Sequence, residues 1–293
     1  MQNRRDFLKH ASVLLAGGLV APQLLSSCAG GADKIIGLQL YSLREMEKEV
    51  GIQGVLEAVA KMGYKTLETA GGFSSGGKIY NTDPSELRKM ANDLGMRFTS
   101  AHLSRDYSKE NEAEIMGWWD RAIEAYNQLG LKYIVIPSMT VNSETTMDDV
   151  KLNCDYFTAI GYKTAAAGIA LGYHNHDFEF TNKLDGQPVY DIMLNTVSKN
   201  HVFFQLDVYW CQEGGYNPVD YLKNHADQIK TVHIKDEKEI GASGRMDFEA
   251  IFNQMNANGV KDWYVEVEKY TNNDAPASVK ESFDYLAKAN YVK

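Results

Sequence analysis

Residues 201–210 read HVFFQLDVYW. Val202, Phe203, Phe204 and Leu206 form a short β-branched and aromatic run, the composition of a parallel strand covered on both faces. The run stops at Asp207, with Tyr209 and Trp210 close behind. Seven other stretches share this build: IIGLQLY (35–41), KTLET (65–69), MRFTSAH (96–102), KYIVIP (132–137), IALGYH (169–174), IKTVHIK (229–235) and DWYVEVE (262–268). They recur roughly every 28–38 residues, the length of one strand–helix unit.

Helical patterns fill the intervals. Asp83-Pro84-Ser85-Glu86 supplies an N-cap, a proline at the first helical position and an acid at the third. That helix closes at Leu94-Gly95, a C-terminal signal. In residues 112–130, Ile115, Trp118, Trp119, Ala122, Ile123 and Tyr126 fall at helical spacing, and both tryptophans read as core. A last helix over about 277–290 presents Val279, Phe283, Leu286 and Ala287 on one face.

Eight such units in succession predict a (β/α)8 barrel in one domain, residues 35–293. An open doubly wound sheet would carry a glycine-rich phosphate turn after its first strand. Here Ser42-Leu43-Arg44-Glu45 follows instead, and no linker or low-complexity segment divides the chain.

A barrel of this kind builds its site at the carboxyl ends of the strands. Those ends carry Glu68, His102, His174 with His176, Asp207, His233 with Lys235, and Glu266 with Glu268. Side chains alternate faces along a strand, so each pair two residues apart shares a side. Each residue has an ordinary reading: a hydrogen-bonded core histidine, Asp207 as a helix cap, Glu266 as the ion partner of Lys235. Four polar residues at the ends of four successive strands, His174, Asp207, His233 and Glu266, point further, to one shared divalent cation. The Asp, Glu and His donors suit Mn²⁺, Co²⁺, Zn²⁺ or Mg²⁺, with no thiolate to favour a softer metal.

IGLQLYSLR, YKTLET, YHNHDFEF, FFQLDVYW, VHIKD with the later Gly244-Arg245-Met246-Asp247-Phe248, and WYVEVE resemble the xylose isomerase-like barrel superfamily. It includes sugar phosphate isomerases/epimerases, inosose dehydratase-like proteins, 3-dehydroshikimate dehydratases and endonuclease IV. The resemblance spans residues 33–291. It implies one divalent metal, held by Glu, Asp, His and Glu from strands five to eight. Asp207, His233 and Glu266 match three of these positions, and His174 stands where relatives carry the first Glu. His176 and Glu179 are the alternates for that fourth ligand. The implied activity is isomerisation or epimerisation of a sugar or keto sugar by proton abstraction next to a carbonyl. Glu266 or Glu179 would move the proton, and Lys235 and His102 would hydrogen-bond substrate oxygens. Tyr41, Glu68, His176, Phe178, Trp210 and Arg245 would contact the substrate. Because a metal-bound imidazole has no free lone pair on its bound nitrogen, His174 cannot replace a glutamate base, and two-sided proton transfer is weakened. A lyase or hydratase acting on 3-keto sugars or glycosides is the second reading, and a non-catalytic carbohydrate-binding envelope lipoprotein the third.

The chain opens with Arg4-Arg5-Asp6-Phe7-Leu8-Lys9 and an apolar stretch, Ala11 to Leu25, too short and too rich in Gly and Pro to span a bilayer comfortably. This resembles a twin-arginine export signal. Leu25-Ser26-Ser27-Cys28 resembles a lipobox, with Cys28 the lipidated first residue. The expected layout is an export signal over 1–27, a lipidated tether over 28–34, and the barrel. The location is then the bacterial periplasm, with the lipid on Cys28 as the sole membrane contact. Cys154 and Cys211 remain as unpaired structural thiols. Loss of residues 1–27 removes three cations and one anion, moving the formal net charge from −9 to −11. Such a chain is a poor partner for nucleic acid, which places endonuclease activity last among the readings. A homo-oligomer is compatible with the sequence, which fixes no oligomeric state.

Overall fold

The computed structural model describes residues 34–293. The expected signal and Cys28 lipid site lie outside these residues. Lys34, which was expected in the tether, is part of the fold. Its Nζ donates to the carbonyls of Leu286, Ala287 and Ala289 at 3.3, 2.8 and 2.6 Å, a cation at a helix C-terminus.

Eight parallel strands close into a barrel: β1 Gly37–Gln39, β2 Thr66–Ala70, β3 Arg97–His102, β4 Tyr133–Ile136, β5 Ala170–His174, β6 Val202–Asp207, β7 Ile229–Lys235 and β8 Asp262–Glu266. Neighbours around the ring follow chain order, and β1 closes on β8 through Gly37 opposite Tyr264 and Leu38 opposite Val265. Helices α1 Arg44–Met62, α2 Pro84–Asp93, α3 Glu112–Leu129, α4 Met147–Ala166, α5 Val189–Thr196, α6 Pro218–Asn224, α7 Phe248–Asn258 and α8 Ala275–Lys288 alternate with the strands. The eight βα units read from the sequence are all present.

Local chemistry sets the boundaries. Asp83 caps α2 by accepting from the backbone N–H of Ser85 and Glu86, with Pro84 at its first turn. Trp119 is fully buried in α3, and its Nε1 donates to Tyr156 OH at 2.6 Å. Cys154 and Cys211 are buried and unpaired, and burial pushes the Cys154 thiol up to about 12. The first strand is shorter than expected. The Gln39 side chain accepts from Tyr41 N–H at 3.0 Å and turns residues Leu40–Leu43 into a 3-10 helix. Tyr41 therefore stands on a turn at the barrel rim, 42% exposed. Two short additions follow β5 and β6. The first is the helix Phe178–Thr181 with an antiparallel pair, Lys183–Leu184 and Gln187–Pro188. The second is the helix Val208–Glu213.

Candidate active site at the barrel mouth

The sequence HNH at 174–176 owes its middle residue to the barrel. Asn175 is fully buried. Its Oδ1 accepts from Asp207 N–H at 3.0 Å, and its Nδ2 donates to the Asp207 carbonyl at 3.2 Å. Asn175 thus ties the end of β5 to the end of β6 and sets His174 beside Asp207.

His174, Asp207, His233 and Glu266 offer donor atoms that all lie within 4.8 Å of one another, and all four residues are buried. His233 Nδ1 is 3.3 Å from Glu266 Oε2 and 4.0 Å from Asp207 Oδ2. Both ordinary readings hold at the same time. Asp207 Oδ1 caps the following helix by accepting from Trp210 N–H at 2.9 Å. Glu266 Oε2 pairs with Lys235 Nζ at 3.1 Å.

The fit to a cation rests on what these bonds leave over. Asp207 Oδ2 is buried with no hydrogen-bond partner among the described residues, a costly condition for a carboxylate oxygen. Burial pushes the Asp207 carboxyl up to about 7, although Lys235 and His233 oppose the rise. Burial also lifts Glu266, but Lys235 and His233 more than offset it and hold that carboxyl well below its usual range. For His233, burial works against the charge, while Glu68 and Glu266 carry the imidazole up to about 10. A cluster with one unsatisfied anionic oxygen and imidazole nitrogens around it suits a divalent cation.

A cavity of about 460 Å³ opens above this cluster. Tyr41, His102, His174, His176, Glu266 and Glu268 line it, with Phe73 and Trp118 on one wall. Lys235 is buried between Glu266 and Glu268, 2.9 Å from the latter, and its ammonium sits 5.5 Å from the Trp210 ring centroid. The His176 ring stacks on Phe178 at 5.1 Å and 7°, so Phe178 braces a lining residue and is itself absent from the wall. Burial drops the His176 imidazole to about 4, and its Nδ1 has no partner. Trp210 Nε1 is likewise buried and unpartnered.

Like Phe178 and Trp210, three further residues expected at the site are absent from the cavity wall. Glu68 is fully buried beneath the cluster. It accepts from Gln39 Nε2 at 2.7 Å, Ser100 Oγ at 2.6 Å and Gln205 Nε2 at 2.9 Å, with His233 Nε2 at 2.5 Å. Burial raises its carboxyl, but His102 and His233 bring it down to about 2. No oxygen of it is free for substrate. Glu179 is fully buried; Tyr173 OH donates to its Oε1 at 2.6 Å and His176 N–H to its Oε2 at 2.7 Å. It props the β5 loop from behind and is absent from the cavity wall. Arg245 pairs with Glu213 on an exposed loop and does not line the cavity.

Gln39, Ser100 and Gln205 were missed. Each sits two residues before a strand end or turn residue already singled out, and strand alternation puts Gln205 on the face of Asp207.

The family model described as a xylose isomerase-like TIM barrel matches residues 56–289. A sugar phosphate isomerase/epimerase of Parabacteroides distasonis ATCC 8503 is 38% identical, with a TM-score of 0.80 and coverage of 89% of this chain and 100% of that one. An inosose dehydratase of Clostridium beijerinckii is 22% identical over 88% of this chain and 94% of its own length. A 3-keto-D-glucoside 4-epimerase of E. coli shares the fold, at 20% identity, TM-score 0.65 and coverage of 87% of this chain and 100% of that one. With its closed ring of eight parallel strands and a family match across most of its length, this chain is a member of the xylose isomerase-like TIM-barrel family.

Proposed function

We propose that this protein is a divalent-metal-dependent enzyme that takes a proton from the carbon beside the carbonyl of a sugar or keto sugar. The meeting of His174, Asp207, His233 and Glu266, with Asp207 Oδ2 left unsatisfied, carries this reading. These four residues would hold the ion, Mn²⁺, Co²⁺, Zn²⁺ or Mg²⁺ by their donor set. When bound, such an ion polarises a carbonyl and stabilises charge developing on its oxygen.

The remaining work falls to the chain. The Lys235 ammonium has three N–H donors and uses two on Glu266 and Glu268. The third would be offered to a substrate oxygen seated beside Glu266 and Glu268. Glu266 and Glu268 both line the cavity and can receive and return the proton. His176, neutral and on the cavity wall, can hydrogen-bond a hydroxyl. Tyr41 and Trp118 offer apolar faces to a sugar ring.

The two carboxylates that line the cavity lie together, Glu266 at the end of β8 and Glu268 just beyond it, while β5 contributes imidazoles. Epimerisation through two opposed carboxylates has no second acid on the β5 side. This one-sidedness supports a second outcome of the same proton abstraction: loss of water from a 3-keto sugar or glycoside by expulsion of the β-hydroxyl, with gain of water as the reverse reaction, in which the acid returns the proton to carbon. The inosose dehydratase relatives and the keto-glucoside epimerase of the same fold support the keto-sugar class.

Chelator-stripped and metal-restored protein, assayed on simple ketoses and 3-keto glycosides in D₂O with mass spectrometry, tests this. Deuterium uptake at constant composition marks isomerisation, and a mass change of one water marks the lyase or hydratase. Full turnover after complete metal removal overturns the mechanism. Sugar binding without product in metal-replete protein favours the carbohydrate-binding reading. Arg4-Arg5 and Cys28 support an envelope location, checked by the intact mass of the mature chain.

A further inference from the structure

Beneath the mouth, one carboxylate and one carboxamide decide which nitrogen of each histidine carries its proton. Glu68 is ringed by donors from Gln39, Ser100, Gln205 and His233, and a carboxylate can only accept. Gln205 must therefore turn its amide nitrogen to Glu68, 2.9 Å away, and its carbonyl oxygen the other way. That oxygen lies 2.7 Å from His102 Nε2 and 3.2 Å from His174 Nδ1. Both ring nitrogens must donate to it. His174 then keeps its proton on Nδ1 and its lone pair on Nε2. His233 donates Nε2–H to Glu68 and turns Nδ1 toward Asp207 and Glu266. Between the Glu68 and Glu266 carboxylates the metal-free ring is protonated on both nitrogens, and a bound cation would replace the proton on Nδ1 while Glu68 keeps the one on Nε2.

We propose that Glu68 and Gln205 are positioning residues that fix the tautomers of His174 and His233, so that each offers a lone pair to the shared cation. The arrangement goes one step past the familiar carboxylate–histidine contact. Glu68 reaches His233 directly and His174 through the orientation it imposes on Gln205. This proposal rests on the metal-binding reading above.

The test uses the full mature chain. In E68Q, the new amide faces Gln205 with a donor, Gln205 turns over, and its NH₂ meets His174 Nδ1. The His174 proton then moves to Nε2, where the lone pair was. In E68Q/Q205E the carboxylate sits at position 205 and accepts from His102 and His174, while the amide at 68 donates to it and still accepts from His233 and Gln39. Chelator-stripped proteins are titrated with Co²⁺, reading the visible ligand-field spectrum and affinity by competition. The expected result is a loss of about 10–100-fold in E68Q, with an altered spectrum, and recovery of both in E68Q/Q205E. Wild-type affinity in E68Q, or no recovery in the double variant, overturns the relay. Wild-type protein that takes up no Co²⁺ overturns the metal reading instead. If a variant does not fold, ¹⁵N-histidine NMR of the metal-free wild type decides. His174 protonated on Nδ1 supports the relay, and protonation on Nε2 overturns it.

Discussion

The Lys235 ammonium lies 3.1 Å from the Glu266 carboxylate, both side chains buried at the ends of β7 and β8. Without this cation Glu266 would rely on His233 to hold its buried charge, and the Asp207 carboxyl would rise further. Substituting Lys235→Met removes one partner of a buried pair, which costs about 3–5 kcal/mol. Denaturant unfolding of the metal-free variant reads this loss directly. Turnover falls as well, because Lys235 is also the donor proposed for a substrate oxygen. A variant as stable as the wild type would show that the pair contributes nothing net.

Asp207 divides its two oxygens between folding and the site. Oδ1 caps the helix Val208–Glu213 by accepting from Trp210 N–H, and Oδ2 is unpartnered. Asp207→Asn keeps the cap through its amide oxygen and removes the charge at the mouth. The expected outcome is a folded protein, within about 1 kcal/mol of wild type when both are metal-free. Its metal content, read by inductively coupled plasma mass spectrometry, falls to background after dialysis against conditions that leave the wild type loaded.

The strands and the four mouth residues were legible because two periodicities coincide. Apolar runs of one strand length recur at one βα length, and each run of β5 to β8 ends on a polar side chain. The buried layer below was less visible. Gln39 and Gln205 look unremarkable inside apolar strands, and only alternation from Tyr41 and Asp207 places them inward. Glu68 was read at the right end of the barrel and at the wrong depth. The irregular register between Leu67 and Glu68 against β3 shifts it relative to a regular ladder, and no sequence feature announces that shift. Glu179 misled for a similar reason. An acid five residues past His174 cannot be told from a ligand until the helix Phe178–Thr181 turns it toward Tyr173.

Arg245 is the residue that would mark a phosphorylated substrate if it faced the cavity. From the exposed loop after β7 its guanidinium reaches Glu213 at the end of the helix Val208–Glu213 instead. Arg245→Ala is therefore expected to leave KM within about two-fold of wild type for an uncharged keto sugar, since exposed ion pairs contribute little. Steady-state kinetics on neutral and phosphorylated substrates in parallel checks this. A selective rise in KM for the phosphorylated compound would bring Arg245 back to the site.

Glu179 gives a pH dependence of opposite sense to that of a salt-bridged acid. Burial pushes its carboxyl up to about 8, against the hydrogen bonds from Tyr173 and His176 that favour the anion. In the unfolded chain a glutamate ionises near about 4.3. Between these values the unfolded state has lost its proton and the folded state keeps it, so the unfolded state binds fewer protons and stability falls as pH rises. The contribution is fully present below about 4.3 and is lost progressively up to about 8. Glu179→Gln has no proton to lose, and its amide can still accept from His176 N–H. Its melting temperature relative to wild type should therefore climb steadily from pH 5 to pH 8 and level off above. Thermal denaturation of both metal-free proteins across that range reads the difference. A constant offset would mean that Glu179 is already ionised in the fold, held as an anion by the Tyr173 and His176 donors.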